Sequence, residues 1–182
     1  MSAVPTPSGG VVLQLTGDDV ALLTAWVGEL AGLVAPDRAE SADPIAAMVG
    51  LDASRDRPDD PALQRLFPDG YRDDEAAAAD FRRYTEHDLR QAKADRAEVV
   101  LESLRARSGG TDLVLDADQA RAWLGTLNDL RLVLGTRLGI TDEEAAEEWP
   151  DDDDPRAPAL VAYHWLTYLQ GTLVEAMSPR HP

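Results

Sequence analysis

Three histidines are the first residues to consider for catalysis, because imidazole exchanges protons near neutral pH. His87 lies in the charged run Glu86-His87-Asp88, His164 is flanked by two aromatic residues, and His181 is next to the end of the sequence. A histidine base needs a nucleophile or an orienting partner within hydrogen-bond reach, and no serine stands in a nucleophile-elbow or serine–lysine motif. We therefore predict a solvated His87, a His164 packed at a helix interface, and a protein that is not an enzyme.

Acidic residues are the second possible source of chemistry, because carboxylates bind hard cations. Nine of the thirteen residues from 142 to 154 are acidic, ending in four consecutive aspartates before Pro155. An EF-hand loop needs alternating ligands and a central glycine, and a zincin helix needs His-Glu-x-x-His. Neither pattern is present, and the sequence has no cysteine to supply thiolate ligands or disulfides. We predict a solvated acidic linker over 142–154 and no metal or other cofactor.

The net charge narrows the class of partner. With 34 acidic and 17 basic residues the formal charge is −17, which disfavours direct binding to nucleic acid phosphates and favours basic protein surfaces. No apolar run approaches the roughly 20 residues of a membrane span, and residues 1–8 lack the basic start and apolar core of a signal peptide. The expectation is a cytoplasmic protein that binds neither nucleic acid nor membrane.

Two charged clusters are candidate binding surfaces. The first is a basic patch on a long helical stretch: Arg82, Arg83, Arg90, Lys93 and Arg96. Acidic residues are interspersed with it, so it is either a salt-bridged solvent face or a docking surface for an acidic partner helix or the chain's own linker. The second cluster lies in the run 128–138 and consists of Asp129, Arg131 and Arg137, which lie away from the helix face that the leucines share. These residues either form structural ion pairs or bind a partner.

The elements that position these residues follow from a repeat with an offset of one hundred positions. Each copy has Gly-Gly, a short alternating strand, a cap (Thr16 or Asp116) and an amphipathic helix. The apolar positions of the two helices have the same spacing: Val20, Leu23, Val27, Leu30 and Val34, then Ala120, Trp123, Leu127, Leu130 and Leu134. We expect the two strands to pair in either direction, with helices packed on one side.

The remaining pattern predicts more helices. They are a weak helix over 44–53, a short helical turn over 61–66, a long helix over 73–107 and a last helix over 156–178. The long helix either bends near its polar middle or partly projects from the core. The fold class is therefore mainly α, with five to six helices and a two-stranded sheet near 10–15 and 111–115. We expect a disordered lead-in over 1–8, a single helical domain over 9–178 and a tail over 179–182.

Several segments resemble one actinobacterial family. They include Pro68-Asp69-Gly70-Tyr71-Arg72-Asp73-Asp74, Phe81-Arg82-Arg83-Tyr84-Thr85-Glu86, Leu127-Asn128-Asp129-Leu130-Arg131 and Asp153-Asp154-Pro155-Arg156. The chain resembles the AosR-like family, long catalogued as a domain of unknown function. The resemblance implies an oxidative-stress transcriptional regulator that works with an alternative sigma factor and RNA polymerase and is associated with a redox-sensing cysteine pair. Because this sequence has no cysteine, that switch cannot operate here.

These observations lead to one hypothesis and two alternatives. The hypothesis is a non-enzymatic regulatory module that binds a sigma factor or RNA polymerase, with these candidate contact residues: Arg82, Arg83, Asp129, Arg131, Arg137, Trp165 and Tyr168. The first alternative is a structural homodimer that packs its last helix against a second copy through Trp165, Tyr168 and Leu169. The second, less favoured, is a metal-dependent hydrolase.

Overall fold

The described part of the chain is mainly helical, as predicted. The structure is a computed structural model that describes residues 2–7, 9–36, 57–71, 73–107, 112–147, 149 and 153–178. The strands are β1 (Ser2–Pro5), β2 (Val11–Gln14) and β3 (Asp112–Leu115). The helices are α1 (Gly17–Val34), α2 (Pro61–Leu66), α3 (Glu75–Ala106), α4 (Ala117–Leu138), α5 (Glu143–Glu147) and α6 (Ala157–Met177).

Helices α1 and α4 start with the same local geometry. The side chains of Thr16 and Asp116 each accept a hydrogen bond from the backbone N–H three residues further on. The side chains of those third residues, Asp19 and Gln119, accept from the cap's own N–H in return. These capping boxes satisfy donors that a helix start leaves unpaired, so both helices begin where the sequence predicts.

The two predicted strands pair with each other, and they run antiparallel. Val11 is opposite Leu115 and Leu13 is opposite Leu113. These side chains face the helices and are buried, whereas Val114 on the other face is 68% exposed. Because successive strand residues point to opposite faces, one face carries the core and helices pack on that side, as expected.

A third strand corrects two predictions. Residues 2–5, predicted to belong to a disordered lead-in, form β1 antiparallel to β2, so the sheet has three strands and not two. A tight turn permits this pairing: the Thr6 N–H donates to the Gly10 carbonyl (2.8 Å), and Gly9 has a φ of 84° that favours glycine. Four residues ending in proline are too short a signal to predict a strand, since the partner strand supplies the hydrogen bonds.

Helix α3 is one continuous element whose two halves differ in burial. Its second half contributes Val100 and Leu104 to the core, whereas Tyr84 in the first half is 61% exposed. Trp123 from α4 is fully buried, and its Nε1–H donates to Ser103 Oγ of α3 at 2.9 Å. The second half of α3 therefore packs against α4, whereas the first half is only partly covered by the rest of the fold.

The helix ends also follow sequence signals. Helix α1 stops two residues before Pro36, and α4 is capped at its end by Gly139, which has a left-handed φ of 74°. Within the predicted acidic linker over 142–154, Glu143–Glu147 forms the short helix α5. The predicted helix over 44–53, the glycine pair at 109–110 and the tail at 179–182 lie outside the described residues.

Candidate partner-binding groove

Two of the predicted contact residues are interior residues. Arg82 is 8% exposed and forms an ion pair with Asp69. Asp129 is 3% exposed and lies between Lys93 (2.6 Å) and Arg96 (3.3 Å) of α3. Burial of these side chains removes them from a partner's reach, so their role is to hold neighbouring segments together.

Two further candidates tie α4 to its neighbours. Arg137 places Nη2 2.7 Å from Oδ2 of Asp60, the residue that caps α2. Arg131 donates through Nε to Thr167 Oγ1 (2.9 Å) and through Nη1 to Gln170 Oε1 (2.5 Å), both on α6. Arg137 therefore forms a structural ion pair, whereas Arg131 is held by hydrogen bonds to neutral side chains, and each arginine also lines a surface depression.

The other three candidates lie at the surface on two different helices. Tyr168 of α6 is 58% exposed, and half-buried Arg83 of α3 lies over the Tyr84 ring. Trp165 is half-buried, with its ring 6.0 Å from that of Trp26 in an edge-on contact. Leu169, which the homodimer alternative placed at its interface, is fully buried in the core and is not available to a second copy.

An apolar groove lies where α1, α4 and α6 meet, and sequence reasoning missed it. Its volume is about 510 Å³ and each helix contributes four residues: Trp26, Glu29, Leu30 and Leu33, then Leu130, Val133, Leu134 and Arg137, then Pro158, Ala159, Ala162 and Leu166. The signal that could have indicated it is Val133, an apolar residue that lies off the main stripe of α4. Only the packing of three helices shows that part of this surface stays uncovered.

The groove is apolar with a single acidic edge. Its walls include the half-buried side chains of Leu33, Val133 and Leu134. Its two charged residues are Arg137, which is paired with Asp60, and Glu29, which is exposed. The groove therefore suits an apolar surface that carries a basic group beside it.

The candidate catalytic and metal residues do not assemble in the described part of the chain. The ring of His164 stacks on Trp149 at 4.6 Å, and half-buried His87 lies on α3. No group of three or more histidine, aspartate or glutamate residues among those described is arranged to hold a metal ion. At the end of the acidic segment, the Arg156 guanidinium and backbone N–H bind the Asp154 carboxylate and hold its pKa below the ordinary value.

No helix in the described ranges is both long enough and apolar enough to cross a membrane.

Comparison with known proteins defines the class. Residues 1–177 match the family described as Domain of unknown function (DUF2017), and the chain belongs to that family. It is 36% identical over 174 residues to a protein named for the oxidative stress regulator AosR in Mycobacterium leprae, covering 87% of this chain and 78% of the relative. It is 33% identical over 176 residues to the oxidative stress regulator AosR of Mycobacterium tuberculosis, covering 88% and 79%. The family resemblance is confirmed; no solved structure matches the chain.

Proposed function

We propose that this chain is a non-enzymatic regulatory protein that binds a sigma factor or RNA polymerase through the groove between α1, α4 and α6. Relatives that share a third of its residues are named oxidative stress regulators, which supports a regulatory role. The sequence lacks cysteine, so the regulation proposed here does not use a thiol switch.

The half-buried apolar lining of the groove is the observation that carries the proposal. Leu33, Val133 and Leu134 are each partly open to solvent within one depression. Covering the exposed half of such a side chain contributes roughly 1 kcal/mol, so a partner that fills the groove gains several kcal/mol from apolar contact alone. Apolar helix faces commonly bind in grooves of this kind.

Charge defines the partner surface further. Glu29 is exposed at the groove and the formal charge of the chain is −17. A partner helix with an apolar face and a lysine or arginine beside it complements both features, and opposite charge also raises the association rate. The proposed contact is therefore the apolar face of a basic amphipathic helix.

The test is binding of the purified chain to purified sigma factors and to RNA polymerase from the same organism. Val133→Asp and Leu33→Asp place a charge in the groove and are expected to weaken binding at least about tenfold. Val114→Asp is the matched control, since Val114 is an exposed valine on the outer face of the sheet. Absence of binding by the unmodified chain, or equal loss in the groove and control variants, would contradict the proposal.

The homodimer remains a second candidate on one observation. Val161 and Tyr168 are 50% and 58% exposed and stand seven residues apart on α6, so they share a helix face. Light scattering of the unmodified chain and of Tyr168→Glu tests it. A monomer at all concentrations would exclude this candidate and leave the groove proposal unaffected.

A further inference from the structure

A second depression lies between α2, α4, α5 and α6, and its lining is different in kind. Its volume is about 320 Å³. Arg65 comes from α2, Arg131 and Thr136 from α4, and Tyr163 from α6. Leu132 and Ile140 add apolar surface. The pocket thus combines two cations with a compact apolar wall.

Both arginines in this pocket lack a carboxylate partner among the described residues. Eight of the twelve arginines in the described ranges form an ion pair with an aspartate or a glutamate: Arg57, Arg82, Arg90, Arg96, Arg105, Arg121, Arg137 and Arg156. The other four are Arg65, Arg83, Arg107 and Arg131. In a protein with twice as many acids as bases, two arginines in one pocket that have no described carboxylate partner indicate a place where an anion from outside the chain is favoured.

Arg131 is held in place by neutral oxygens. Its donors reach Thr167 Oγ1 (2.9 Å), Gln170 Oε1 (2.5 Å) and Tyr163 Oη (3.4 Å), and its guanidinium lies 5.4 Å from the centre of the Tyr163 ring. A guanidinium has five N–H donors, so two remain for a ligand. Because the side chain is already oriented, binding an anion costs little of its rotamer freedom.

Arg65 is the exposed second cation of this pocket. It is exposed in the last turn of α2, with no hydrogen bond or ion pair to any described residue. A long arginine side chain that makes no bond to a described residue can turn toward an anion that Arg131 holds. Two guanidinium groups offer the paired hydrogen bonds that carboxylates and phosphates accept.

The single carboxylate in the lining is already engaged. Asp142 Oδ1 accepts from the Ala145 N–H at 2.9 Å, and Oδ2 accepts from Thr141 Oγ1 at 3.1 Å. Both of its oxygens therefore accept hydrogen bonds at the start of α5, and the pocket lining holds two cations and one carboxylate.

We propose that this pocket binds a small molecule that carries a carboxylate or phosphate group on a compact apolar body. Arg131 and Arg65 bind the anionic group, and Leu132, Ile140 and Tyr163 contact the body. The site is separate from the groove of the proposed function and does not depend on it. Both nevertheless lie along α4 and α6, so an occupied pocket stabilises two of the three helices that form the groove.

The test uses three probes with the full chain at constant ionic strength. Benzoate and phenyl phosphate carry the two anionic groups, and benzamide is the neutral isostere of benzoate. Titration followed by ¹H–¹⁵N NMR is expected to give saturable shifts near Arg131, Thr136 and Tyr163 with benzoate, phenyl phosphate or both, and none with benzamide. The relative affinities of the two anions then distinguish a carboxylate site from a phosphate site.

Three variants assign the binding to the pocket. Arg131→Gln and Arg65→Gln are each expected to weaken anion binding about tenfold. Arg121→Gln removes an exposed arginine of α4 that pairs with Asp118 outside the pocket, and is expected to bind like the unmodified chain. Arg65 makes no hydrogen bond or ion pair to a described residue, so its variant keeps the test valid if Arg131→Gln loses the fold.

Three outcomes would overturn the proposal. They are no saturable binding of either anion, equal binding of benzamide and benzoate, or unchanged affinity in Arg65→Gln.

Discussion

The Nζ of Lys93, the single lysine of the chain, lies 2.6 Å from Oδ1 of the buried Asp129. The other oxygen of the same carboxylate lies 3.3 Å from Nη2 of Arg96. One aspartate of α4 therefore holds two cations of α3. A residue considered for partner binding instead joins two helices of the fold.

Asp129→Asn is expected to lower the free energy of unfolding by about 3 kcal/mol, because it leaves two partly buried cations without their counter-charge. Urea denaturation measures the change. Asp118→Asn removes an exposed aspartate paired with Arg121 and is expected to have almost no effect. Equal midpoints for the two variants would show that the buried cluster does not stabilise the fold.

Gly10→Ala is expected to destabilise the protein by about 2 kcal/mol, since the added methyl forces apart packed backbone. A Cβ at Gly10 would overlap the carbonyl oxygen of Leu115, so the chain before β2 must move away from β3. Gly17→Ala is the control, because a Cβ at Gly17 has nothing within 4 Å. Thermal unfolding compares the two, and a Gly10 variant as stable as the control would refute the close approach of these strands.

Thr16→Ala and Asp116→Ala are each expected to lower the free energy of unfolding by about 1 kcal/mol, the usual effect of removing a helix N-cap. The caps start different helices, so the double variant is expected to lose the sum. Thr24→Ala, which removes an exposed hydroxyl bonded to the Val20 carbonyl, serves as control with a much smaller loss. If either cap variant lost no more free energy of unfolding than Thr24→Ala, that result would argue against the capping box at that position.

Arg156→Gln is expected to raise the pKa of Asp154 toward its ordinary value, because hydrogen bonds from Arg156 lower that pKa in the folded state. A lowered folded-state pKa means that the stabilisation is present above the unfolded-state pKa and is lost as pH falls through the folded-state pKa. This window lies below about pH 4. Carboxyl ¹³C NMR measures the titration, with Arg105→Gln as control since Arg105 pairs with Glu98. An unchanged Asp154 pKa in Arg156→Gln would contradict the assignment.

The positions at which the helices start and end were largely predictable from the sequence. The capping signals at Thr16 and Asp116, the glycine at 139 and the proline at 36 each act within a few residues, so the starts and ends of α1 and α4 follow from neighbouring residues. The strand β1 was not predictable in the same way, because its hydrogen bonds come from β2 across a turn.

The helical class, the repeat, the family resemblance and the lack of cysteine chemistry can all be read from the order of the residues. Which charged side chains are available depends on the folded chain, because ion pairing and burial involve residues far apart in the sequence. Asp129 lies 36 positions from Lys93 yet is bound to it, whereas Arg65 and Arg131 line one pocket without a carboxylate partner among the described residues. The groove and the pocket arise where whole helices meet, and helical periodicity shows which face is apolar but not how much of it the neighbouring helices cover.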